Sequence, residues 1–191
     1  MLLGTQMVTK GHDFPGVTLV GVVLADGSLN FPDFRAAERT FQLLTQVAGR
    51  AGRGDRPGQV LVQAYDVDHY AIEAASRHDY AGFVERELAA RKELSYPPFS
   101  HLVLLRFEGT SESATLAAAG RAADELRGKA EGKGVSVLGP APAPIGRLRG
   151  LWRAQVLLKS ASRSSLRAVL AVIPQARDVR QVLDVDPYSM L

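Results

Sequence analysis

Near its midpoint the chain reads Ser95-Tyr96-Pro97-Pro98-Phe99, a stretch that neither a helix nor a central strand can run through. Each proline lacks an amide hydrogen and restricts the residue before it, so regular structure has to stop there. A domain boundary is therefore expected between residues 95 and 96, dividing the 191 residues into segments 1–95 and 96–191, each long enough to bury a core of its own. Charge divides in the same place. Residues 1–97 hold ten Lys or Arg against twelve Asp or Glu, a net −2, and residues 98–191 hold thirteen against eight, a net +5. The basic excess gathers in Arg147, Arg149, Arg153, Lys159, Arg163 and Arg167. Such a spread can meet phosphate on one face, or it can simply keep the surface soluble.

The hydrophobic pattern predicts different architectures on the two sides. Leu2-Leu3-Gly4-Thr5 reads as the end of a strand that lacks an earlier partner, and Val17 to Leu24 as a continuous apolar strand covered on both faces. From Asp33, the expected N-cap, to about Ala48, apolar residues Phe34, Ala37, Phe41, Leu44 and Val47 recur with the helical period. A strand over 59–65 and one or two helices over 69–94 complete a parallel α/β arrangement. Beyond the prolines the predicted order is strand 101–108, helix 112–131, strand 135–139, strand 151–159, helix 163–173 and strand 180–185. This βαββαβ order is that of ferredoxin-like domains. Gly139-Pro140-Ala141-Pro142-Ala143-Pro144 is too rich in proline for a central strand and is expected to form an extended rim leading into a basic loop.

Several chemistries are excluded early. The chain has no cysteine, and its four histidines show no zinc-ligand spacing, so no metal is expected on it. No apolar run approaches the roughly 20 residues that cross a bilayer, and the start lacks the features of a signal peptide, so a cytoplasmic location without a membrane partner is expected. Asp184 and Asp186 have a spacing that could in principle ligate magnesium, but solvation or pairing with neighbouring arginines is the expected reading.

The segment with most chemical content is Gln46-Val47-Ala48-Gly49-Arg50-Ala51-Gly52-Arg53. It offers two arginines on a glycine-hinged helix end. Arginine forks can stabilise the negative charge that builds during phosphoryl transfer. A helix end whose arginines answer the dipole and whose glycines act as left-handed caps is the alternative. The wider sequence favours the first. Gln-x-x-Gly-Arg-x-Gly-Arg matches motif VI of superfamily 2 helicases, and Gly4-Thr5-Gln6-Met7-Val8-Thr9-Lys10-Gly11-His12-Asp13-Phe14-Pro15 resembles their motif V. With Asp33-Phe34-Arg35-Ala36-Ala37-Glu38-Arg39, Tyr96-Pro97-Pro98-Phe99, Arg147-Leu148-Arg149-Gly150 and Leu183-Asp184-Val185-Asp186-Pro187, nearly the whole chain resembles the carboxyl-terminal part of the replication-restart (PriA) helicase family.

That resemblance implies a partial RecA-like helicase lobe over residues 1–95 and an S10-like DNA-binding domain over 96–191. It implies that Gln46, Arg50 and Arg53 face the phosphates of ATP, and that Thr5, Gly11 and Asp13 couple nucleotide to DNA. Arg147, Arg149 and Arg153 would contact phosphates of branched or single-stranded DNA, with Trp152 either stacking on a base or packing in the core. Arg163 would receive a carboxylate of the acidic tail of single-stranded DNA-binding protein. The implied activity is ATP-dependent 3′ to 5′ unwinding at stalled forks and the start of primosome assembly with other primosome proteins. The sequence contains neither a phosphate-binding Gly-x-x-x-x-Gly-Lys-Ser/Thr loop nor an Asp-Glu-x-His motif. It is accordingly expected to be a piece of a longer enzyme, inactive alone, with ATP, Mg²⁺ and the family's zinc insertion held upstream. The competing expectation is a DNA-binding assembly factor with a degenerate, non-hydrolysing motor.

Overall fold

The computed structural model describes residues 3–4, 17–49, 51, 58–171, 173 and 179–190. It divides the chain into two compact units, 1–89 and 90–191, a few residues ahead of the boundary expected at the prolines.

In the first unit β1 (Leu19–Val22) and β2 (Gln59–Val62) form a parallel pair joined through α1 (Ala36–Ala48), and α2 (Tyr70–Ser76) and the greater part of α3 (Tyr80–Glu93) follow in the expected order. Phe41, Leu44, Ala71, Ile72 and Phe83 build the core, where the rings of Phe41 and Phe83 stack at 4.2 Å. Two expectations need correction. Residues 17–24 are not buried on both faces: Val22 packs against the core, whereas Leu19 is 56% and Val23 80% exposed. Alternation puts Leu19 and Val23 on one face and Val22 on the other, and among the described residues only the Val22 face is packed against the core. Asp33 is not the N-cap of α1, which begins at Ala36 behind Arg35. Its carboxylate instead accepts from the Arg35 amide at 3.0 Å and pairs with Arg39 at 3.0 Å, tying down the loop ahead of the helix. Asp26 ties the other end of the sheet, since its Oδ2 accepts the Tyr65 and Asp66 amides at 2.8 and 3.0 Å. Those amides, Asp66 foremost, hold its carboxyl below the ordinary range against the opposing effect of burial.

The second unit runs β3 (His101–Gly109), α4 (Glu112–Ala130), β4 (Ser136–Leu148), β5 (Leu151–Ser160), α5 (Arg163–Leu170) and β6 (Arg180–Val185). The sheet order is β4-β5-β3-β6 with every neighbouring pair antiparallel. Two βαβ halves are thus interleaved, each with its parallel strands parted by a strand of the other. Val103, Leu105 and Phe107 of β3 alternate with Ala154, Val156 and Leu158 of β5 to form one buried layer. Against it α4 lays Ala118, Ala119, Ala122, Ala123 and Leu126, all nearly or fully buried at helical spacing, and the small side chains let the helix approach closely. Ser111 and Ser162 cap α4 and α5 by accepting the Ala114 and Ser165 amides.

The proline-rich stretch departs from expectation in an informative way. It is extended and on the rim of the sheet as expected, but it is the middle of a strand, β4, which continues to Leu148 with register shifts between Leu138 and Ala141 and between Pro142 and Arg147. β4 is an edge strand, so its prolines cost no ladder bonds on the open side and discourage pairing with another chain.

Candidate nucleic-acid interface

β4 and β5 are joined by two residues, Arg149 and Gly150, both with positive φ, 50° and 84°. Two left-handed residues in succession are the geometry of a tight hairpin whose twist matches its strands, and glycine carries the second position without strain. The expected basic loop is therefore a hairpin tip. Arg149 stands exposed at its end, and Arg147 stands exposed one residue before the strand ends. Arg147 lies opposite Trp152 in the register, with its guanidinium carbon 5.2 Å from the indole centroid, within cation–π reach. Trp152 is half-buried and shares a shallow pocket with Glu112, Thr115 and Leu116 of α4 and Pro142 and Gly146 of β4. It packs and at the same time keeps part of its surface accessible.

Arg153, grouped with Arg147 and Arg149 from sequence, belongs elsewhere. Strand alternation turns it to the sheet face opposite Trp152, where it is only 7% exposed. Its Nε lies 3.5 Å from Oε1 of Glu108, its cross-strand partner on β3, and Arg180 on β6 approaches the other oxygen at 3.7 Å. The three residues make a charged row across β5, β3 and β6. Next to it Arg106 pairs with Asp184 at 3.3 Å. Arg153 is thus a structural member of a cross-strand ion row, not a phosphate contact at the surface.

Arg163, the first residue of α5, donates from Nη2 to Oδ2 of Asp186 at 3.0 Å and from Nε to Nδ1 of His101 at 3.2 Å. Asp186 is held independently: its Oδ1 accepts the Leu102 amide at 3.3 Å, and its own amide donates to the Leu102 carbonyl at 2.8 Å. Lys159 sits over the Tyr96 ring at 4.3 Å and donates to the Leu94 carbonyl at 2.7 Å, where burial pushes its pKa down. Lys159 is thus engaged within the unit rather than part of an open basic spread, and the roles of His101 and Glu108 are not legible in the sequence because they depend on long-range register.

The residues that the resemblance implies for nucleotide binding and DNA coupling fall mostly beyond the described part of the chain. Arg50, Arg53, Thr5, Gly11 and Asp13 lie outside the described residues, and Gln46 is exposed two residues before the end of α1. Gly49 follows that helix with φ −70°, so it caps in the right-handed region. Among the described residues no helix is long and apolar enough to cross a membrane.

Comparison with known proteins agrees with the sequence motifs. The family model described as the primosomal protein N C-terminal domain matches residues 92–188. Replication restart protein PriA of Bacillus subtilis is 42% identical over 198 residues, covering 100% of this chain and 24% of that protein. The protein of the same name from Synechocystis is 47% identical, covering 100% of this chain and 23% of its own length, and that from Haemophilus influenzae 38%, covering 100% and 27%. The chain therefore spans about a quarter of the curated relatives it matches. With its second unit matched almost end to end by that family model and relatives of the same name aligned along its whole length, the chain belongs to the primosomal protein N (PriA) family.

Proposed function

We propose that these residues are the carboxyl-terminal part of an ATP-dependent DNA helicase that unwinds in the 3′ to 5′ direction, recognises stalled or branched forks and initiates primosome assembly. The observation carrying this reading is resemblance over the whole chain to proteins named for replication restart, at 38–47% identity in the three relatives above. In this reading the first unit is the end of a RecA-like lobe, and Gln46, Arg50 and Arg53 reach the phosphates of ATP bound by upstream sequence. Thr5, Gly11 and Asp13 couple that nucleotide to the DNA track. Mg²⁺ and zinc belong to upstream segments as well, and the protein works in the cytoplasm.

The second unit is proposed to be a ferredoxin-like, S10-like DNA-binding domain, a reading supported by its interleaved βαββαβ order. Its contact with DNA is the β4–β5 hairpin, where Arg147 and Arg149 meet phosphates without reading sequence. Arg163 receives a carboxylate from the acidic tail of single-stranded DNA-binding protein, and other primosome proteins join the assembly. DNA-stimulated ATPase of the full-length protein tests the motor. Arg50→Ala and Arg53→Ala are each expected to reduce turnover by on the order of 10³-fold, the scale of an arginine finger. Unchanged turnover would remove both residues from the nucleotide site.

A further inference from the structure

Arg163 already holds a carboxylate, and it is the chain's own. The Nε and Nη2 donors of a guanidinium lie along one edge, the geometry with which arginine grips a carboxylate in fork fashion. Here that edge is divided between Asp186 at 3.0 Å and His101 at 3.2 Å. We propose that Asp186 is a built-in competitor at this seat, so that an external acidic peptide docks by displacing it. The proposal rests on the reading of Arg163 as a carboxylate receptor and adds how that receptor is regulated.

Three observations make the contact exchangeable. The pair is open to water, with the Arg163 side chain 65% and the Asp186 side chain 40% exposed, and an ion pair so exposed contributes little. Asp186 does not need Arg163 for its position: it keeps the Leu102 amide on Oδ1, the backbone bond to the Leu102 carbonyl and a left-handed φ of 49°. Arg163 opens α5, where the helix dipole favours an anion and disfavours a cation, so the arginine sits well only while an anion accompanies it. Asp186 is that anion in the resting chain, and a peptide carboxylate replaces it in the docked state. His101 at Nδ1 remains an acceptor for the arginine in its neutral form, steadying the side chain during exchange.

The test is affinity of the full-length protein for a short aspartate-rich peptide with a free carboxyl terminus, followed by fluorescence anisotropy at fixed salt. Asp186→Asn keeps an acceptor for Leu102 and tolerates positive φ, and Asp186→Gly removes the carboxylate at the same φ. Both are expected to bind the peptide about two- to fivefold more tightly, the fold-change that 0.4–1 kcal/mol represents. Arg163→Gln is expected to abolish binding. If Arg163→Gln abolishes binding while both Asp186 variants bind no better than the parent, the competitor is overturned and the receptor stands. If Arg163→Gln leaves binding unchanged, the receptor reading fails and the competitor with it.

Discussion

Arg147 and Arg153 are the same residue type six positions apart, yet one contributes surface charge and the other holds a sheet together. Glu108 is the decisive neighbour. Changing it to Gln leaves Arg153, buried on β5, without its counter-charge, and is expected to destabilise the protein by about 1–3 kcal/mol in a denaturant titration, with Arg147→Gln near zero. Equal effects would contradict the assignment. The sequence could not separate these arginines, because which face a strand residue occupies follows from pairing with β3, more than forty residues away. His69 shows a second residue-level effect. It precedes α2, and its Nδ1 accepts the Ala71 amide at 3.2 Å, which needs that nitrogen unprotonated. Burial lowers its pKa, with Asp66 and Glu87 opposing. The unfolded chain therefore takes up the proton first, near pH 6.5, and the native contribution is complete above that value and lost as pH falls through the folded pKa. Melting temperature should fall between pH 7.5 and pH 5 more in the parent than in His69→Asn, whose side chain caps without titrating in that range.

At the scale of elements, β4 carries the tightest constraint. Gly139 has φ 96°, and a Cβ there would lie 2.9 Å from the Gln155 carbonyl oxygen and 3.2 Å from the Ala141 amide nitrogen. Both atoms are backbone, on β5 and on β4 itself, so neither can yield without disturbing the register. Gly139→Ala is expected to cost about 1–3 kcal/mol, read as a lower denaturation midpoint with unchanged slope. Gly128→Ala, in α4 with nothing near its Cβ position, should be neutral or slightly stabilising. Elements with strong periodicity were legible: the four strands and two helices of the second unit appear in the predicted order, and β6 spans the predicted residues. What misled was local chemistry read without its partner. Prolines at 140, 142 and 144 argued against a central strand, which is correct, but an edge strand accommodates them. Asp33 looked like a cap because it precedes the apolar period, whereas two arginines draw its carboxylate into the loop.

For the whole molecule the governing property is the uneven distribution of charge, with the excess of Lys and Arg lying beyond residue 97. Motif V and motif VI were recognisable as words, but in the proposed reading Arg50 and Arg53 act on a nucleotide held by other sequence of the full-length protein, so periodicity within this segment could not reveal their geometry. The DNA contact proposed for the second unit is a different case, because the hairpin presenting Arg147 and Arg149 is built within it. Each phosphate neutralised by a protein cation releases condensed counterions, so the logarithm of the binding constant falls linearly with the logarithm of salt concentration, with slope near −0.9 per contact on duplex DNA. Replacing Arg147 and Arg149 together by Gln in the full-length protein is expected to weaken forked-DNA binding regardless of sequence and to flatten that slope by about two, one per lost contact. Arg153→Gln, measured alongside, should lower stability and leave the slope where it was, since its charge faces Glu108 rather than solvent. A slope insensitive to the double substitution would mean that the hairpin's charge serves solubility and that DNA meets the molecule on another surface.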